Sequence, residues 1–562
     1  MNNLSGTFDQ ISARLDTLEK RVYALEHPTE TSPELAVIPA PAHAVVEDRS
    51  FAQASGLFSI LGRAMLGIAG AYVLRAVAES TSLPKLAVAA IAIAYAILWL
   101  VWAVRVKATT WFPRAIYAGT SSVILAPMLW ELTLRFKVFP PSATAAIIAL
   151  FVLIASAMAW KRNLIPVFWV TNATAAVVAL ALAIATRHLI PFITSLLFMV
   201  LICEFAAKLN RGTSVRPLVA VAADLSILGM IFIYSGPQNA RVDYPLLGMA
   251  ALLVPGCVLF LLYIVSIGIG AILQGNDITV FETIQAVAAF LLAAFSVLIF
   301  SSPLGAIVLG GICLLLAATC YILVLADSRK LATERNYQIF SAWGMSLLLA
   351  GSFLCLPPLG VTLCLGFASI ASTLLGIRLH RLTFQIHGML LLMWATAFSG
   401  LFGYVLHTLI GTLPETLTAS VGVASVATLI FYAAGKAAVE ETWVSQSIRF
   451  VSAALAVCAL AAFLSQGLLF LLALYITPEI HHVAFIRTLT CCAVALSVAF
   501  AGSRWSRREL TNIGYVTLAF IAAKLLFEDL RHGHFGFIAG SIFLFAISLI
   551  AAPRLARLRP KL

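Results

Sequence analysis

The sequence predicts an all-α polytopic integral membrane protein, with about eighteen transmembrane helices preceded by a short cytoplasmic coiled-coil helix. Three observations predict it. Of the 562 residues, 62% are hydrophobic and 11% charged, whereas a soluble domain is roughly half apolar and a quarter charged. Apolar runs of spanning length recur almost without interruption from residue 55 onward. Lys and Arg gather on alternate connections between those runs. The runs lack the two-residue alternation of an outer-membrane barrel. Helices are then the only spanning structure that satisfies its own backbone inside lipid.

The chain opens with Leu4, Phe8, Ile11, Leu15, Leu18, Val22 and Leu25, spaced 4, 3, 4, 3, 4, 3. That is a heptad seam, so residues 1–26 read as a coiled-coil helix that self-associates or binds a protein partner. An amphipathic helix lying on the membrane is the other reading of the same pattern. Residues 27–54 are rich in Pro and Ala without period and read as an extended tether. No basic segment leads into an early apolar stretch, so a cleaved signal peptide is not expected.

Residues 55–553 form the predicted body. Its runs are 55–76, 86–104, 111–132, 144–160, 164–186, 189–207, 217–234, 246–269 and 280–300. They continue at 304–326, 339–356, 359–375, 384–409, 417–434, 451–476, 483–501, 513–530 and 535–552. Short connections such as Leu356–Pro357–Pro358–Leu359–Gly360 require antiparallel neighbours. No internal repeat is evident. Residues 554–562 read as a basic tail.

With the N-terminus in the cytoplasm, 22 Lys and Arg fall on cytoplasmic connections and the tail. The opposite side holds 8: Arg75, Lys85, Arg135, Lys137, Arg187, Arg241, Arg487 and Arg531. One missed or invented helix midway would scramble so sustained a bias. It therefore predicts the span count together with an orientation in which both termini are cytoplasmic, as in the inner membrane of a bacterium. The net charge of +12 is accounted for in this way, with no nucleic-acid partner. The bilayer is the expected partner of the body.

A charge near mid-bilayer is costly and requires a reason. Arg63 and Asp224 each lie about two turns inside a run. An interhelical ion pair or a polar cavity would explain them. Glu204 and Glu282 sit near cytoplasmic ends, and Glu131 and Arg75 near external ends, where side chains snorkel to headgroups. In the run 513–530, Lys524 and Glu528 share one face, while α-helical geometry puts Asp529 about 140° away from Lys524. Lys524 then needs a second contact from another helix, with Glu131 as first candidate. Arg63, Glu131, Asp224, Lys524, Glu528 and Asp529 are the candidate intramembrane polar site.

His481, His482, His532 and His534 gather in two external connections beside Glu479, but their spacing defines no metal site. All nine cysteines lie inside apolar runs and read as small packing residues. No Walker loop, GxSxG, HExxH, paired CxxC or dinucleotide fingerprint in a fitting context occurs, so no cofactor and no catalytic residue is expected.

Three features resemble a family of large bacterial membrane proteins known only as a domain of unknown function. They are the RLDTLEKRVYALE stretch from Arg14, the first run's Gly62, Arg63, Gly67, Gly70, Leu74 and Arg75, and the closing Lys524, Asp529 and Leu530. Glu528 lies outside that pattern. The resemblance implies an integral membrane protein of the cell envelope and no particular reaction. From the residues, three functions stay open. One is transport or flipping of a hydrophobic or amphipathic envelope solute, drawing on the span count and the pairs Pro140–Pro141 and Pro357–Pro358 as helix breaks. The others are a structural or assembly scaffold and an intramembrane enzyme acting on a lipid-linked substrate near Glu415, Glu479 and the histidines.

Overall fold

A computed structural model describes residues 49–80, 84–106, 111–209, 213–326, 334–411, 417–435, 442–532 and 534–556. The heptad seam of 1–26 and tether residues 27–48 lie outside the described residues. The chain divides into two compact units, Met1–Gly67 and Ile68–Leu562. Among the described residues the structure is helical without strands.

The helices in chain order are α1 (Arg49–Ser80), α2 (Lys85–Arg105), α3 (Phe112–Leu134), α4 (Pro141–Arg162) and α5 (Ile165–Thr186). Then come α6 (Leu189–Lys208), α7 (Arg216–Ser235), α8 (Met249–Gly268), α9 (Val280–Phe300) and α10 (Pro303–Ala326). They are followed by α11 (Glu334–Cys355), α12 (Pro358–Arg378), α13 (Leu382–Phe398), α14 (Leu401–Leu409) and α15 (Ala419–Ala434). The last four are α16 (Trp443–Ala473), α17 (Ile480–Arg504), α18 (Arg508–Lys524) and α19 (Phe535–Ala556).

Among the described residues, fifteen helical segments are long and apolar enough to cross a membrane. The protein is an all-α polytopic membrane protein. The three remaining predicted runs are also helical but differ in form. α1 covers the whole predicted run 55–76, and Arg49, inside the segment expected to be tether, is already helical. The run 384–409, expected as one span, is α13 and α14 bent by 62°. The run 417–434 is the 16-residue α15. At the other end α19 runs on to Ala556, so Arg554 is helical rather than part of a tail.

The proline pairs, read as helix breaks, lie between spans and open the helix that follows. Pro140 and Pro357 are extended N-cap residues, and Pro141 and Pro358 open α4 and α12. A first-turn proline loses no helical hydrogen bond and arrives with its φ already helical. The break falls instead at Gly400, whose φ of +81° is left-handed.

Burial is arranged for lipid. Large apolar side chains such as Ile184, Phe232, Leu315 and Phe367 face outward, while Ser121, Thr144, Ser156, Asn172, Thr396 and Ser465 are buried. Small and hydroxyl side chains permit close helix approach and bond across helices, as Thr133 with Thr144 (2.7 Å) and Ser465 with Thr490 (2.5 Å) do. A close approach joins α10 and α11, where a Cβ on Gly351 would lie 2.8 Å from the Gly310 carbonyl oxygen. The main contacts join helices no more than three apart in the chain, so the second unit is built progressively from neighbouring hairpins.

Candidate functional site

Among the described residues, two clusters of buried charge lie in the second unit. The larger collects α14, α17 and α18. α18 ends at Lys524 and passes directly into one π-helical turn, Leu525–Asp529. The Leu530 N–H reaches back to the Leu525 carbonyl, the i→i+5 bond of a π turn. The wide turn accommodates one extra residue, so position i+5 returns close to position i. Asp529 is therefore not turned away from Lys524, as regular α-helical spacing required; its Oδ1 lies 2.6 Å from Lys524 Nζ.

The three N–H groups of the Lys524 ammonium meet three acceptors: Asp529 Oδ1, Thr488 Oγ1 at 2.9 Å and the Ala484 carbonyl at 3.0 Å. Glu528 Oε2 stands 3.3 Å away as a second carboxylate partner. The expected second contact from another helix thus exists, but it comes from Ala484 and Thr488 on α17. Glu131 is held 2.8 Å from Arg75 instead. Thr488 also donates to Asp529 Oδ2 at 2.8 Å, tying the carboxylate to α17.

Arg487 completes the cluster. Its Nη1 donates to Glu528 Oε1 at 2.6 Å, and its Nη2 donates to the carbonyls of His407 (3.0 Å) and Gly411 (2.5 Å) at the end of α14. A guanidinium there satisfies carbonyls that a helix C-terminus leaves open and complements its dipole. Arg487, Lys524 and Asp529 are 1%, 5% and 2% exposed. Of the two carboxylates expected near headgroup water, Asp529 is enclosed by protein and Glu528 is half-buried, and two cations balance two anions. One donor, Arg487 Nε, is buried without a hydrogen-bond partner.

The second cluster joins α6, α7, α8 and α9. Arg216 grips Glu204 with Nε and Nη2, both at 2.5 Å, and its Nη2 also donates to Glu282 at 3.0 Å. Ser266 donates to Glu204 at 2.6 Å, and Lys208 Nζ stands 3.8 Å from Glu282. Glu282 additionally closes a capping box with Thr279 at the start of α9. Glu204 and Glu282, expected to snorkel, are buried in a salt-bridge network. Deeper in α7, Asp224 accepts from the Gln285 side-chain amide at 2.8 Å on both carboxylate oxygens. Its partner is an amide, not the arginine or cavity that the sequence suggested. Arg63 belongs to the first compact unit and is exposed.

The sequence reading therefore found Lys524, Glu528, Asp529 and Asp224 but not Arg216 or Arg487, both assigned to connections. Arg487 lies four residues inside its own apolar run, directly before Thr488, which was the available signal. His481, His482 and His534 do come together, with His481 ring centroids 4.2 Å from His482 and 6.2 Å from His534. Among the described residues no group of three or more His, Cys, Asp or Glu is arranged to hold a metal ion, and Glu415 lies outside them.

The fold and these clusters define a multi-pass α-helical membrane protein with two neutralised ion networks inside its helical body. No protein-family model matches the chain, and neither a curated protein nor a solved structure is significantly similar to it.

Proposed function

We propose that this chain is a transporter- or flippase-like protein handling a hydrophobic or amphipathic solute of the cell envelope. We place it in a bacterial cytoplasmic membrane with both termini on the cytoplasmic side, as the loop charges favour. A place in the envelope family that its two ends resemble fits the same reading.

One observation carries the proposal. The buried Arg487–Glu528–Lys524–Asp529 cluster joins the far end of α14, the half-helix that follows the break at Gly400, to a span that widens into a π turn. Interrupted helices and π turns are frequent at functional sites, and intramembrane ion pairs mark substrate or ion pathways. Arg487 links the end of the half-helix α14 to the widened turn, so movement of either would exchange its partners. A structural or assembly role is the second reading, favoured by the closed, charge-balanced state of both clusters.

Cells lacking the chain, complemented with wild type or with Asp529→Asn, provide the test. Envelope amphiphiles on each leaflet would be labelled with a membrane-impermeant amine reagent and measured by mass spectrometry. We expect wild type, and not the variant at equal membrane abundance, to restore the leaflet distribution. Restoration by Asp529→Asn would reject the cluster's role. A distribution indifferent to the chain would reject transport.

A further inference from the structure

A separate pocket of about 890 Å³ lies where the start of α16 meets the turn between α17 and α18. It is lined by Arg449, Arg507 and Arg508, one carboxylate (Glu509), and two tryptophans, Trp443 and Trp505. Arg507 is engaged: its Nη1 donates to Tyr432 Oη at 3.1 Å and lies 3.7 Å from Glu509. Arg449 and Arg508 are paired with no carboxylate among the described residues, and Arg449 Nε is buried with no hydrogen-bond partner. The first turn of α18 also lines the pocket, and its N-cap residue Arg507 supplies no side-chain cap. Two guanidinium groups with no carboxylate partner among the described residues and the positive end of a 17-residue helix thus converge on one space.

Its setting identifies the ligand. The pocket is built from the first turns of two spans and carries exposed Trp443 and Trp505 at its rim, as residues at headgroup depth do. It also lies on the connections where the chain concentrates Lys and Arg, the side that faces the more anionic leaflet. Its volume is within the range of roughly 300–1,000 Å³ typical of small-ligand sites.

We propose that this pocket binds the phosphate headgroup of an anionic phospholipid, with Arg449 and Arg508 as its principal contacts. The proposal is independent of the transport reading, since it shares none of the residues of the Lys524 cluster.

The test uses the purified full chain in mixed micelles. They would contain phosphatidylglycerol bearing a photoactivatable group near the glycerol, or the matching phosphatidylcholine, and crosslinked peptides would be mapped. We expect phosphatidylglycerol to label residues 443–451 and 505–512 well above phosphatidylcholine. An Arg449→Gln/Arg508→Gln double variant should reduce that labelling roughly tenfold. Equal labelling by the two lipids, or undiminished labelling of a folded double variant, would overturn the proposal. If the double variant does not fold, raising salt to about 1 M, where screening acts within ~3 Å, must weaken labelling of wild type. Labelling unaffected by salt would also overturn it. Abolition by excess inorganic phosphate, with salt matched, would assign the pocket to free phosphate instead of lipid.

Discussion

Lys524→Met removes one cation from a charge-balanced interior and leaves the geometry around it in place. Asp529, 2% exposed, would keep only the Thr488 hydroxyl, while Glu528 would keep Arg487. Breaking a buried ion pair by removing one partner costs about 3–5 kcal/mol, because the remaining charge is uncompensated. Polar contacts between membrane helices are individually weaker, about 0.6 kcal/mol on average, because the unfolded state in lipid finds partners too. We therefore expect a loss of about 3 kcal/mol, set mainly by the stranded Asp529. Unfolding would be followed by tryptophan fluorescence as dodecyl sulfate displaces a mild detergent. The decisive comparison is Lys524→Met/Asp529→Leu, which removes both charges and should recover at least half of the loss. Wild-type stability of the single variant, or a double variant worse than the single, would refute the pairing.

The π turn makes a sharper claim about chain length. Deleting lipid-facing Phe527 should convert the wide turn to regular helix while keeping the downstream register, and so be tolerated. Deleting exposed Val516 in α18 should rotate Lys524 by about 100° relative to the preceding residues and abolish folding, read by size-exclusion elution. Arg216→Met should destabilise by about 3 kcal/mol or more, because Glu204 and Glu282 would share the interior with only Lys208 nearby; the same dodecyl sulfate titration measures it. Gly351→Val should separate α10 from α11, costing about 1–3 kcal/mol by overpacking, and a lowered thermal midpoint would register it. Orientation is checked with single cysteines at the exposed turn positions Asn163 and Gln238 in a cysteine-free chain. An impermeant thiol reagent on intact cells should label Gln238→Cys and spare Asn163→Cys.

Much of this architecture was legible in the residues alone because its cause is local. A helix in lipid closes its own hydrogen bonds, so about 20 apolar residues suffice to specify a span with no knowledge of its neighbours. Each predicted run is accordingly helical, and even the anomaly at Lys524 was visible as charge in the wrong solvent. The pairing of charges was not legible, because it is decided by parts of the chain far apart. Arg487 bonds carbonyls 76 and 80 residues away, and Arg216 joins Glu204 to Glu282, 66 residues on. Nor could periodicity place Asp529, since one π turn changes which side chains share a face. Hydropathy determined what crosses lipid; only tertiary packing, which must leave no buried charge unbalanced, decided which of its charges meet.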